Sequence, residues 1–149
     1  MYPQLLLLFL MDRASLNRKL ITTVVKKGTE FTEAVSMTLK QEKLTIQQFN
    51  VLRILRGRKG EAASLQDVSK DMIHNNSNTT RVIDKLVTKD LVKRIQCPTD
   101  RRQIELTITQ DGLDLLSKID KKVEASEADI LKETSDEDLN LLIELLNKI

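Results

Sequence analysis

The chain of 149 residues has one cysteine, one histidine, no tryptophan, two prolines and four glycines, and aromatics make up 3% of it. Each scarcity excludes something. A lone Cys97 forms no intrachain disulfide and fits a reducing compartment. A lone His74 makes a histidine-rich metal site impossible, so no metal ligand is expected. With few aromatics the core must rest on Leu, Ile and Val, and with little Gly and Pro a multi-turn β-sandwich is disfavoured against helices. There is no Gly-rich phosphate loop, no metal-ligand cluster and no Ser/His/Asp set. The expectation is a protein with no catalytic residues and no cofactor, not an enzyme.

A long hydrophobic run is missing too. "QLLLLFLM", residues 4–11, is too short to span a bilayer. It lacks the basic segment before it and the A-x-A-like site after it that mark a signal peptide. No membrane partner is expected. Residues 1–15 read as an apolar N-terminal extension with two explanations open: a segment that packs on a partner, or translated upstream sequence with Met11 the natural start. Residues 16–149 suffice for a single domain with its own core. Charged residues at 31% and apolar residues at 40% give an ordinary soluble composition, with a cytoplasmic location expected.

The net charge of +2 conceals an asymmetry. Residues 1–108 hold 19 Lys/Arg against 11 Asp/Glu, and residues 109–149 hold 5 against 11. A basic body with an acidic tail points to a polyanion partner, although two solvated faces of opposite sign would give the same totals.

Apolar periodicity predicts a helix over 16–40, with Leu20, Val24, Phe31, Val35 and Leu39 on one stripe broken by Gly28. "LTIQQFNVLRIL" carries a Thr45–Gln48 capping box ahead of Phe49, Leu52 and Leu55. "GRKGE" is a loop. Ser64 caps a short helix with Leu65, Val68 and Met72 at i, i+3 and i+7. After the break "HNN" a second short helix turns Val82, Ile83 and Leu86 inward and Ser77, Asn78, Arg81 and Lys85 outward, which is the helix-turn-helix pattern. "LVKRIQC" and "QIELTI" form a hairpin, with Ile104, Leu106 and Ile108 alternating on one face. Thr109 caps a helix with Leu113, Leu116, Ile119 and Val123 on a stripe. Ser135 begins the last helix, with Leu139, Leu142, Ile143, Leu146 and Ile149 on one face. The order is α-α-α-α-β-β-α-α. The fold class is mainly α (α+β): a winged helix-turn-helix lobe over 45–108 with a two-stranded β wing, flanked by N- and C-terminal dimerisation helices at 16–40 and 110–149.

Two stretches carry chemistry. The second helix of the pair opens with Asn75, Asn76, Ser77, Asn78, Thr79 and Thr80, a run that suits a cap and first turn. By itself this is equally a solvated helix start. Ahead of a basic hairpin, the same groups suit the major groove. There Asn bonds adenine, Ser and Thr adapt to either base type, Arg81 reaches guanine or phosphate, and Lys85 stays on the outward face. The hairpin tip "PTDRR" brings Arg101 and Arg102 to a wing that enters or flanks the minor groove. Asp100 is expected to accept a bond from a neighbouring arginine and fix its direction.

"LTIQQFNVLRIL", "SNTTRVIDKLVTKDLVKR", "PTDRRQIELTIT" and "TQDG" occur in an order and spacing similar to the MarR (multiple-antibiotic-resistance regulator) family of bacterial winged-helix transcription regulators. The resemblance covers roughly residues 30 to 147, and the Asp-Arg-Arg wing with the Leu-Thr and Gly that follow is its most specific part. It implies an obligate homodimer built from the terminal helices, a palindromic double-stranded DNA operator, and repression relieved by a small-molecule effector. By position it puts Ser77, Asn78, Thr80 and Arg81 in the recognition helix and Asp100, Arg101 and Arg102 at the wing tip.

Asp90 stands where the family usually has glycine before Leu-Val, which implies a left-handed helix cap on a less suitable residue. "DVSKDM" is more polar than the usual Leu-Ala pair. Peroxide-sensing members carry a reactive cysteine in the N-terminal helical region. Cys97 lies on a wing strand instead and reads as a small apolar filler. His74 reads as a loop or capping residue, and zinc-responsive members need more ligands than this chain has.

The apolar stripes at both ends are too long for a small winged domain to bury. Leu20 and Val24 at one end, and Leu139, Leu142, Leu146 and Ile149 at the other, are therefore the expected dimer contacts. The reading is a homodimeric, sequence-specific DNA-binding repressor. A different class, a winged-helix protein-interaction module without sequence-specific DNA binding, would lack the converging Arg, Asn and Ser.

Overall fold

The structure, a computed structural model, describes residues 12–72, 78–97, 100 and 103–149. The apolar stretch 4–11 and Met11 lie outside the described residues. The elements are α1 (Arg13–Lys40), α2 (Ile46–Gly57), β1 (Ala63–Ser64), α3 (Leu65–Asp71), α4 (Thr79–Thr88), β2 (Val92–Gln96), β3 (Ile104–Ile108), α5 (Gln110–Leu131) and α6 (Asp136–Leu146). They fall into two units, Met1–Ala34 and Val35–Ile149. Among the described residues no helix is long and apolar enough to cross a membrane.

In the first unit α1 begins at Arg13, ahead of residue 16 where periodicity places the helix start. The carboxylate of Asp12 takes the Ser15 N–H at 2.9 Å, which supplies an acceptor at an otherwise unsatisfied helix start. Thr22, Thr23, Thr29 and Thr32 each donate a hydroxyl to the carbonyl four residues back, so their side chains follow the helix instead of competing with it. Leu20, Val24 and Phe31 of the predicted stripe are exposed.

In the second unit the rest of that stripe is used: Leu39 is fully buried and Val35 packs against the core. The core joins Phe49, Leu52 and Leu55 of α2, Val68 of α3, Ile83 and Leu86 of α4, Leu106 of β3, and Leu116 and Ile119 of α5. Local bonds start these helices where the sequence places caps. Thr45 and Gln48 exchange both bonds of a capping box, Ser64 does so with Asp67, and Thr109 and Ser135 accept from Gly112 and Asp138.

Helix ends follow from the shortage of glycine. Lys43, Lys59 and Asp90 take left-handed backbone at φ 55, 52 and 58. At Asp90 the Leu91 N–H reaches Leu86 O and the Asp90 N–H reaches Val87 O, both at 3.0 Å, the Schellman arrangement expected of a glycine cap.

The sheet has a third strand that periodicity did not reveal. Its order is β1-β3-β2, antiparallel, with Ala63 opposite Leu106 and Arg94 opposite Leu106 on the other side. A strand of two residues has no period to read, so the order becomes α-α-β-α-α-β-β-α-α. Ile149 lies beyond the end of α6 rather than on it.

Candidate nucleic-acid interface

The helix-turn-helix pair is held from inside. Buried Thr79, the first residue of α4, donates its hydroxyl toward Met72 Sδ at 3.6 Å and lies 3.4 Å from Ser69 Oγ of α3. With Ile83 and Leu86 also buried, α4 turns Thr80, Arg81, Asp84, Lys85 and Thr88 outward on one amphipathic face. The predicted Thr80, Arg81 and Lys85 therefore share a surface.

Asn78 is exposed at the N-cap position, but its side chain makes no cap hydrogen bond. The helix itself starts at Thr79. Asn75, Asn76 and Ser77, together with His74, lie outside the described residues. A cleft of about 290 Å³ opens between the start of α2 and the start of α4, lined by Thr45 and Gln47 on one side and Asn78, Arg81 and Lys85 on the other. Spacing marks Thr45 as a cap and gives Gln47 no role. Nothing in the linear pattern brings α2 beside α4.

At the wing, Cys97 N–H donates to Gln103 O at 3.0 Å, which extends the β2–β3 ladder one step. Asp100 is exposed; its carbonyl accepts from Gln103 N at 2.9 Å and its carboxylate from Gln103 Nε2 at 3.3 Å. Asp100 thus organises the turn in part through Gln103, a partner the sequence reading did not name. Arg101 and Arg102, with the expected arginine partner of Asp100, lie outside the described residues. Cys97 is half-buried on the strand end.

Of the expected dimer contacts, Leu20, Val24, Leu142, Leu146 and Ile149 are exposed and Leu139 is half-buried; α6 has no buried residue at all.

Ion pairs fasten the lobe to α5. Arg56 of α2 pairs with Asp120, and Glu42 is gripped by Lys118 at 2.9 Å and Lys122 at 2.6 Å. Hydrogen bonds from Lys122 and Lys118 hold the Glu42 carboxyl below its ordinary range. The Ser64 hydroxyl and N–H do the same for Asp67 in the α3 capping box. Among the described residues no group of three or more His, Cys, Asp or Glu side chains could hold a metal ion.

A profile of the MarR family matches residues 44–104, the stretch from α2 to the start of β3. The HTH-type transcriptional regulator MhqR of Bacillus subtilis is 31% identical over 102 residues, 68% of this chain and 69% of that protein. BpsR of Bordetella bronchiseptica, solved in work on regulation of its DNA binding by 6-hydroxynicotinic acid, aligns with a TM-score of 0.77 at 25% identity, over 87% of this chain and 97% of that one. A mutant MarR of E. coli complexed with operator DNA shares the fold, with a TM-score of 0.79 at 21% identity over 93% of this chain and 98% of that one. The class is thus the winged helix-turn-helix transcriptional regulators, which are not enzymes. Within it, the chain belongs to the MarR family.

Proposed function

We propose that this regulator binds a palindromic operator as a homodimer, represses transcription there, and is released by a small-molecule effector. The observation that carries the DNA reading is the outward face of α4, where Thr80, Arg81 and Lys85 stand beside the uncommitted side chain of Asn78. Arg81 and Lys85 engage no carboxylate among the described residues, which leaves two cations for a polyanion. On this reading Asn76, Ser77, Asn78 and Arg81 address base edges, while Arg101 and Arg102 serve the adjacent minor groove.

The dimer is supported by the exposed apolar residues of α1 and α6, which a monomer leaves in water. Burying each such leucine against a twin is worth roughly 1.5–3 kcal/mol. Two copies would present recognition helices to half-sites about 10–10.5 bp apart, one helical turn. Release by an effector is supported by the small-molecule regulation described for BpsR.

The test is selection of bound sequences from random duplexes, with sedimentation of the free protein alongside. A palindromic consensus and a dimer at micromolar concentration are expected. No enriched sequence, or a folded monomer, would defeat the corresponding part of the reading.

A further inference from the structure

Arg94 occupies an unusual place. The β2–β3 register sets Val92, Arg94 and Gln96 opposite Ile108, Leu106 and Ile104, so Arg94 shares a sheet face with the buried Val92 and Leu106. Arginine is a costly residue on such a face, because its polar atoms lose water unless they find partners. Its Nε is buried without a hydrogen-bond partner among the described residues. Its Nη2 reaches out to Asp84 Oδ1 at 2.7 Å. Asp84 stands on the outward face of α4, between Arg81 and Lys85, where a bare carboxylate would repel a phosphate backbone.

The pair spans the two elements that the DNA reading requires. The β2–β3 hairpin leaves α4 through the left-handed turn at Asp90 and Leu91, and its base is also held by the β1–β3 pairing and by Val92 and Leu106 in the core. A guanidinium anchored on the sheet and bonded to the middle of α4 adds a directional brace between the two elements to these backbone and apolar contacts. Its planar fork holds direction as well as distance, which an ammonium does not. Both side chains keep some exposure, 30% for Arg94 and 50% for Asp84, so the bridge adds little to global stability. The consequence is geometric.

We propose that the Arg94–Asp84 pair sets the angle between the wing and the recognition helix, so that both are positioning residues for DNA binding rather than DNA contacts. This rests on the DNA-binding reading above, and the test separates the two.

Arg94→Met, Asp84→Asn and the double variant are titrated with the selected duplex. In the absence of DNA, spin labels at Thr88→Cys and Ile95→Cys, in a Cys97→Ser background, report the distance distribution between α4 and β2. Each single variant should weaken binding about tenfold or more, the double should be no worse than either single, and Arg94→Lys should restore only part of the loss. The distance distribution should broaden in all of them, while thermal melts change little. Asp84→Asn alters an exposed residue, so it tests the idea even if Arg94→Met folds poorly. The proposal is overturned if Asp84→Asn binds as tightly as wild type or more tightly, or if the distribution stays narrow in Asp84→Asn. If the wild type selects no duplex, the DNA reading fails while the distance measurement still judges the brace.

Discussion

Gly112 packs its α-carbon against the carbonyl of Leu91, so closely that a Cβ there would stand 2.4 Å from that oxygen and 2.8 Å from Ile108 Cγ1. The same carbonyl accepts the Thr109 N–H at 3.1 Å, and Thr109 Oγ1 donates to Asp90 O at 2.7 Å. The first turn of α5 is therefore clamped onto the turn that joins α4 to the wing. Gly112→Ala should destabilise by about 2–3 kcal/mol, because the obstacle is backbone and cannot rotate away. Gly28 in α1 has nothing within 4 Å of a Cβ, so Gly28→Ala should instead stabilise by about 0.5–1 kcal/mol through helix propensity. Denaturant titration reads both signs, and equal effects at the two sites would refute the clamp.

Asp90 carries a left-handed cap in a family that usually has glycine there. Asp90→Gly removes the steric cost at Cβ while keeping the backbone bonds of the turn, and should stabilise by about 0.5–1 kcal/mol. Asp90→Val should do the reverse, since branching at Cβ makes that conformation more strained. Urea midpoints in the same order for both variants would contradict the assignment.

Glu42 makes stability depend on acid. Its carboxyl is held below the ordinary glutamate value by hydrogen bonds from Lys122 and Lys118. A lowered folded value means that the contribution is complete above the unfolded value of about 4.3 and is lost as pH falls through the folded one. Glu42→Gln should therefore be less stable than wild type near pH 7, with the gap closing as pH drops below about 4. A gap constant across pH 3–7 would show that packing, not charge, is what the substitution removes.

The two DNA-reading elements should fail differently. Arg102→Ala should weaken binding to operator and scrambled duplexes alike and lower the salt slope by about one unit per lost phosphate contact. Preference for A·T at the flanks should fade with it. Asn78→Ala or Arg81→Ala should cost roughly 1–3 kcal/mol on the preferred operator and relax preference at particular positions. Asp100→Ala should be a mild wing defect, because it removes the carboxylate that accepts from Gln103 Nε2 and leaves the backbone bond from Gln103 N in place. Binding across a salt series distinguishes these outcomes, and an unchanged affinity for Arg102→Ala at every salt would reduce the wing to a loop.

What the sequence determined by itself was local. Thr45, Ser64, Thr109 and Ser135 each bond a backbone N–H three residues on, so their helix starts are legible from spacing alone. The same holds for the alternation of Ile104, Leu106 and Ile108 and for the inward positions Ile83 and Leu86 of α4. Tertiary structure decided the rest, because it depends on residues brought together from distant parts of the chain. The stripe of α1 reads as one pattern, yet Leu39 is fully buried and Leu20 is not, a difference set by neighbours rather than by period. Ala63 becomes a strand only because Leu106 lies opposite it. Period and spacing give Arg94 and Glu42 no partner; the register turned Arg94 toward Asp84, and α5 brought two lysines to Glu42. Caps need three residues of chain to form; a brace or an ion clamp needs the packed core to carry its partner into reach.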